Sequence, residues 1–427
     1  MKIVRVIARL NVGGPARHVV WLTAGLQAPN WNSLLVSGTV PPGEEDMSYF
    51  AAEHGVEPLL IAEMSREISF KDALSIWKIY RVFCREGPDI VHTHTAKAGT
   101  VGRVAGFLYR WLTPSSLLGR PRQCLFVHTY HGHIFHSYYG PLKTRLFLTI
   151  EKVLARLITD RIVVVSEQQR REIHTRFGVG RPNQFVVIPL GLDINSFADW
   201  RNRRQQFRDE LRAKSDELVV GIVGRLTEIK NHELFLRAVA ILKDRLAQER
   251  SGSRVKFVVI GDGGLRDRLE AQARTLGLVE DVIFAGSRRD PENFYAALDI
   301  VALTSLNEGT PLTLIEAMAN ARPVVATAVG GVVDLLGETI EEHQNERYTV
   351  CRRGISIQSN DPVAVAAGLF HLITNPELRS QLGHRGLEFV ASSYSRERLL
   401  DDIKALYKQL LQQTQGIVSS PKLSVVS

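Results

Sequence analysis

A chain of 427 residues, 44% hydrophobic and 23% charged, is too long for one ordinary core and is expected to form two domains of roughly 200 residues each. That composition excludes a disordered or fibrous chain, and three scattered cysteines, Cys84, Cys124 and Cys351, exclude a disulfide framework and a C-x-x-C zinc site and point to a reducing cytoplasm. The formal charge of +8 favours an anionic partner, which by charge alone could be nucleic acid, an acidic membrane surface or a phosphorylated small molecule.

The amino terminus, "MKIVRVIARLNVGG", carries Arg5 and Arg9 within its apolar run and reads as a buried first strand rather than a signal peptide. Gly13 and Gly14 follow it in "NVGGPARH". Adjacent glycines ahead of a helix let backbone N–H groups approach an anion where the helix dipole helps, although an ordinary strand-to-helix turn has the same look. Strands are then expected at "SLLVSG", "VEPLLI", "PDIVHTHT", "CLFVHTYHG" and "DRIVVVS", forming a first sheet.

His92 and His94 alternate onto one face of their strand, and His128, His131, His133 and His136 follow at spacings that superficially suit a metal. No carboxylate lies among them and no helical i, i+4 pair is present, so no metal is expected and most are read as structural or hydrogen-bonding. His131, just before Gly132 at a strand end, is expected to point into a ligand cleft. Lys97, on the loop after a strand, is a second candidate there, with a surface lysine as the plain alternative.

Residues 137–161 set five cations (Lys143, Arg145, Lys152, Arg156, Arg161) against two acids (Glu151, Asp160), with Tyr138, Tyr139 and Phe147 interleaved. Such a face could lie on an anionic membrane or be an ordinary amphipathic core helix. No window approaches a membrane span. The domain boundary is placed in "VIPLGLDINSFADW", residues 187–200, giving domains at 1–193 and 194–394; the charged stretch "RNRRQQFRDELRAKSDE" after it reads as a solvated helix.

The second half alternates strands and helices clearly: "ELVVGIVGRL", a helix from about Asn231, "VKFVVIGDG", a helix from Leu265, "DVIFAGS", a helix near Glu292, "DIVALTS", a further helix, and "RPVVATAVGG". Continuous apolar runs at this rhythm are those of doubly wound parallel sheets, so the expected fold class is α/β, two Rossmann-like domains facing a central cleft. Residues 395–415 are expected to form an amphipathic helix packing back on the first domain, with 416–427 a flexible tail.

Arg225 and Lys230 in "GRLTEIKNHE" are two cations on one strand-tip loop, a pairing that suits a diphosphate. The glycines of "VVIGDGG", Gly261 among them, could line a nucleotide but do not make the G-x-G-x-x-G of a dehydrogenase. In "SLNEGTPLTLIEAMANARP", Pro311 suits a helix start, which leaves Glu308 in the preceding loop and Glu316 inside the helix. Amid Leu314, Ile315, Ala317 and Met318, Glu316 needs polar partners, which sugar or ribose hydroxyls would supply.

In this order and spacing, "GG", "HTHTAKAG", "HTYHGHIFH", "VIPLGLD", "GRLTEIKN", "GDGGLRDRLE" and the double-glutamate helix resemble the retaining GT-B glycosyltransferases with the Glu-x7-Glu motif, over nearly the whole chain. The resemblance implies diphosphate binding by Arg225 and Lys230, sugar contact by Glu308, ribose contact by Glu316, and contact of His131 with the transferring sugar. It also implies a glycine loop at Gly13 and Gly14 closing near the phosphates, and no required cofactor or metal. Thr310 and Pro311 depart from the aromatic and glycine common there, as Asp334 does from a glutamate; proline removes an N–H, so the donor sugar stays open. The histidine segments resemble those of bacterial enzymes that extend lipid-linked sugars for polysaccharide export. The implied activity is hexosyl transfer from a nucleotide sugar, UDP-linked, to a lipid-linked or small-molecule acceptor, in the cytoplasm or at the inner face of the plasma membrane. A sugar-nucleotide epimerase and a non-catalytic sugar-nucleotide binder are the alternatives; nucleic acid is not an expected partner, because basic clusters with interleaved stacking aromatics are missing.

Overall fold

The computed structural model describes residues 1–41, 44, 46–64, 70–131, 141–249 and 252–419, with the backbone alone at 141–143 and 414–419. His133, His136, Tyr138, Tyr139, the Lys143 side chain and the terminal stretch 420–427 therefore lie outside the described residues. The chain forms two compact units, Met1–Gly191 joined by the segment from Arg396 onward, and Leu192–Ser395.

The first unit holds seven parallel strands: β1 (Lys2–Arg9), β2 (Asn32–Gly38), β3 (Leu59–Leu60), β4 (Ile90–His94), β5 (Leu125–Tyr130), β6 (Arg161–Val164) and β7 (Phe185–Val187), in the order β3-β2-β1-β4-β5-β6-β7. The order reverses between β1 and β4, where Ile7 pairs with His94. Helices α1 (Gly14–Ala24), α2 (Lys71–Glu86), α3 (Ala96–Trp111) and α4 (Pro141–Leu157) belong to this unit, as does the terminal helix. The strands are apolar on both faces because both are covered. Val4, Val6 and Phe126 pack under α3, while Ile3, Ile90, Val127 and Val163 pack under the terminal helix Arg396–Ser419. That helix, which runs four residues beyond 415, buries Leu399, Ile403, Leu406, Tyr407 and Leu410 along one stripe. At roughly 1.5–3 kcal/mol per buried side chain this gives on the order of 10 kcal/mol before ordering costs. Arg5, inside the apolar run of β1, is fully buried beneath it and donates to Ser33 Oγ and, at 3.4 Å, to Tyr407 Oη.

The second unit is an eight-stranded sheet of β8 (Glu217–Val223), β9 (Arg254–Ile260), β10 (Val282–Gly286), β11 (Ile300–Leu303), β12 (Val324–Thr327), β13 (Thr339–His343), β14 (Tyr348–Cys351) and β15 (Gly354–Ile357). Its order is β10-β9-β8-β11-β12-β15-β14-β13, parallel except for the antiparallel edge of β13 and β14, and it reverses between β8 and β11. Strands β7 and β13–β15 do not figure in the sequence reading. The helix Trp200–Glu210 corrects it further: Phe207 and Arg208 are buried, and Arg204 and Arg208 both bind Asp299, so one face is packed rather than solvated.

Candidate functional site

Ligands of doubly wound sheets sit beyond the strands' carboxyl ends where the strand order reverses. In the second unit those loops are 224–230, after β8, and 304–311, after β11. The two are stitched together: Leu306 N–H donates to Ile229 O (2.8 Å) and Thr304 Oγ1 to Asn231 O (2.9 Å). Asn231 takes a left-handed conformation (φ 50°) to end the 224–230 loop and begin the helix His232–Gln248. Across the reversal Lys230 Nζ meets Glu308 Oε1 at 2.6 Å, and Ser305 Oγ donates to the same oxygen at 2.6 Å. The cation assigned to diphosphate and the carboxylate assigned to sugar therefore bind one another. Arg225 is exposed on the same loop, with no ion-pair partner among the described residues.

Glycines permit this close approach of loops. Gly261, at the tip of β9, has φ 138°, and a Cβ there would run into the Gly224 carbonyl. Gly330, at φ 51°, lies against the Glu308 carbonyl, and Gly331 N–H donates to Gly309 O at 2.7 Å, so the loop after β12 braces the Glu308 loop. Pro311 is the cap of the helix α5 (Leu312–Ala319), and Glu316 is buried one turn inside it. Thr310 is buried as well, its hydroxyl unpartnered among the described residues. A cation, a carboxylate and a positive helix end thus converge on one surface, which can hold a ligand carrying both anionic oxygens and hydroxyls.

In the first unit the reversal lies between β1 and β4. Gly13, at φ 158°, caps α1, and a Cβ there would meet nothing nearer than Pro15 Cδ at 3.8 Å, so packing does not demand glycine. One turn on, His18 is buried on α1, its ring 4.8 Å from that of His131 after β5 and 5.7 Å from that of His94 at the end of β4. His94 Nδ1 and His131 Nε2 are 3.0 Å apart, sharing one proton. Both nitrogens of His18, Nε2 of His94 and Nδ1 of His131 have no partner among the described residues. Burial pushes His131 down to about 3 and His18 and His94 well below the ordinary histidine value, so the three rings are neutral at pH 7. Neutral imidazoles with spare nitrogens suit sugar hydroxyls, which both donate and accept. One nitrogen from each ring lies within 4.8 Å of the others, close enough to hold a metal ion. No carboxylate joins them, and positive charge from Arg5 and Arg398 reaches His18, which weakens the case for a cation.

His92 and His128 serve the core. His92 is held between Tyr407 Oη (2.6 Å) and Thr129 Oγ1 (2.7 Å), and His128 bonds Thr93 Oγ1 at 2.8 Å. Lys97 opens α3 buried, its ammonium on Asp72, rather than standing free on a loop. Sequence reasoning passed over His18, Ser305, Gly330 and Gly331. The first two had signals in hand: a histidine four residues past Gly14, and a hydroxyl three before Glu308.

These two reversed sheets define a two-domain GT-B protein. The model for glycosyl transferases group 1 matches residues 203–389, and that for glycosyltransferase family 4 matches 12–196. The chain belongs to these glycosyltransferases and is a transferase enzyme. It is 30% identical over 65% of its length to the Escherichia coli UDP-Gal:alpha-D-GlcNAc-diphosphoundecaprenol alpha-1,3-galactosyltransferase, covering 68% of that protein. It is 25% identical over 83% of its length to the Staphylococcus aureus capsular polysaccharide biosynthesis glycosyltransferase CapM, covering 86% of it. The crystal structure of Anabaena HepE in complex with UDP shares the fold at a TM-score of 0.73, with 20% identity over 96% of this chain and all (100%) of that one.

Proposed function

We propose that this enzyme transfers a hexosyl unit from a UDP-sugar to a hydroxyl of a lipid-linked acceptor, with retention at the anomeric carbon, on the cytoplasmic side of a membrane during cell-surface polysaccharide or glycolipid synthesis. The observation that carries the reading is the Lys230–Glu308 pair bridging the β8/β11 reversal, with Arg225 exposed beside it and Glu316 buried in the helix beyond. Arg225 and Lys230 take the diphosphate and stabilise the charge that develops on it as the glycosidic bond breaks, helped by the start of α5. Glu308, released from Lys230, accepts from sugar hydroxyls, and Glu316 accepts from the ribose. Thr310 and Gly261 complete the donor contacts. No carboxylate is assigned as nucleophile; the acceptor attacks on the face the diphosphate leaves. In the first unit Gly13, Gly14 and His131 serve anion and sugar hydroxyls. Fixed cations do the work of a divalent ion, so turnover should survive EDTA. The name of the Escherichia coli relative, with its UDP-Gal donor and diphosphoundecaprenol-linked acceptor, supports the donor base and the acceptor class.

A thermal-shift panel of UDP, GDP, ADP and their sugars tests the donor, since bound ligand raises the melting temperature with the logarithm of its concentration over Kd. UDP and the donor UDP-sugar should raise it and the GDP and ADP compounds should not; no shift with any nucleotide overturns the reading. NMR of the product then separates retention from inversion. An epimer formed without acceptor would instead make the protein an epimerase, and binding without transfer or donor hydrolysis a non-catalytic binder.

A further inference from the structure

Between Asp89 and Glu151 the sequence has seven cations and no acid. Three of the seven are neutralised: Lys97 by Asp72, Arg103 by Glu151 and Arg110 by Asp160. Arg120 and Arg122 have no ion-pair partner among the described residues, and Arg122 lies over the Tyr109 ring at 4.7 Å. The same stretch carries an apolar projection. Phe107 and Trp111, one turn apart on α3, are exposed with ring centroids 6.5 Å apart, and Leu112, Leu117 and Leu118 beyond them are 60%, 90% and 80% exposed.

The projection is held by its own hydrogen bonds. Thr113 Oγ1 accepts from Ser116 N–H at 3.2 Å to cap the 3-10 turn Pro114–Leu118. Gly119, left-handed at φ 70°, closes the turn with its N–H on Ser116 O at 3.0 Å, and Arg122 N–H returns to Arg110 O at 3.1 Å. These bonds hold a turn with two leucines out in water, and a bonded turn that exposes large apolar side chains marks a contact surface. Leucines at the tip, a tryptophan behind them and arginines at the flank match the layering of a bilayer surface, with acyl chains, interface and anionic headgroups in turn. A second copy docking here about a twofold axis would bring Arg120 and Arg122 towards their own counterparts, like charge on like.

We propose that the projection formed by Trp111, Leu112, Leu117 and Leu118 with Arg120 and Arg122 docks this enzyme on an anionic lipid bilayer. This moves the membrane contact away from the basic segment 137–161, and it rests on surface chemistry rather than on the assigned reaction.

The test is sedimentation of the full chain with phosphatidylcholine vesicles with and without phosphatidylglycerol. The wild type should sediment only with the anionic vesicles and be released by salt. The pairs L117S/L118S and R120E/R122E should each lower partitioning by roughly tenfold or more. Leu117 and Leu118 belong to no part of the core, so the circular dichroism and melting temperature of L117S/L118S should not change; R120E/R122E also removes the Arg122–Tyr109 contact and is compared at a temperature where it is folded. UDP-induced shifts should persist in both, which separates this outcome from failure of the donor reading. Three results would overturn the proposal: no binding of the wild type to anionic vesicles, wild-type binding by L117S/L118S, or a dimer in gel filtration that L117S/L118S abolishes.

Discussion

At the β8/β11 reversal the second unit presents a charged pair, Lys230 and Glu308, beside an exposed guanidinium. At the equivalent β1/β4 reversal the first unit presents three imidazoles that burial keeps neutral. The fold decides where loops converge and leaves open what they carry. Charge on an open surface meets charge in the ligand, and it is screened and exchangeable. Buried neutral nitrogens instead select hydroxyls by geometry, because an unpaired polar group away from water is expensive.

That contrast can be broken first at its charged end. Lys230→Ala should lower kcat roughly a hundredfold to a thousandfold, by analogy with removal of an oxyanion donor, measured with a working UDP-sugar. The partly exposed pair contributes at most about 1 kcal/mol to stability, so the fold should hold. Near-normal turnover would end the diphosphate assignment. Lys97→Ala is the counter-case: buried on Asp72, it should cost stability on the order of 3 kcal/mol in urea unfolding rather than donor affinity. Lost affinity with unchanged stability would instead restore Lys97 to the donor site.

Two smaller changes sharpen the donor side. Glu316→Ala should weaken UDP binding about tenfold to a hundredfold in calorimetry, the worth of hydrogen bonds to a charged group, and unchanged affinity would refute the ribose role. Thr310→Val removes a buried hydroxyl that has no partner among the described residues. Stability should therefore hold or rise slightly, while kcat/KM for the natural donor falls by roughly fivefold to thirtyfold, because the hydroxyl is then left for the ligand alone. A Thr310→Val enzyme that loses stability and keeps its donor would make the residue structural.

Much of the second unit was legible because its signals are local. Arg225 and Lys230 sit on one loop, Pro311 sets the helix start, and the apolar neighbours of Glu316 imply its burial. Strand β13, "TIEEH", was not legible: it is a mostly exposed antiparallel edge, without the continuous apolar run of a covered strand. The three-residue β7 is too short to show a pattern next to Pro189. The histidine trio was only half legible. His131 stood out at a strand end, whereas the approach of His18 depends on α1 bringing its ring to the ends of β4 and β5, and no local periodicity encodes that. The burial of Lys97 was hidden for the same reason, since its partner Asp72 comes from a different helix.

The last contrast falls on the neutral side and distinguishes the two units by acid. Burial holds His18, His92, His94 and His128 well below the ordinary histidine value and His131 at about 3. In the unfolded chain each takes up a proton near pH 6.5, so below that the unfolded state binds more protons and acid favours unfolding. Stability is thus complete above about pH 6.5 and is lost as pH falls towards the folded values, by at most about 1.4 kcal/mol per pH unit for each ring. The second unit has a single strongly depressed histidine, His232 at about 4, and a partly buried one, His371. Its depressed carboxylates, such as Asp290 and Glu346, change charge only under more acidic conditions. Between pH 7 and pH 5 hydrogen exchange should therefore quicken in β4 and β5 before it does in β8 and β11. Equal loss in both sheets, or earlier loss in the second, would show that the imidazoles of the first unit are hydrated and protonatable, and the neutral site would lose its basis.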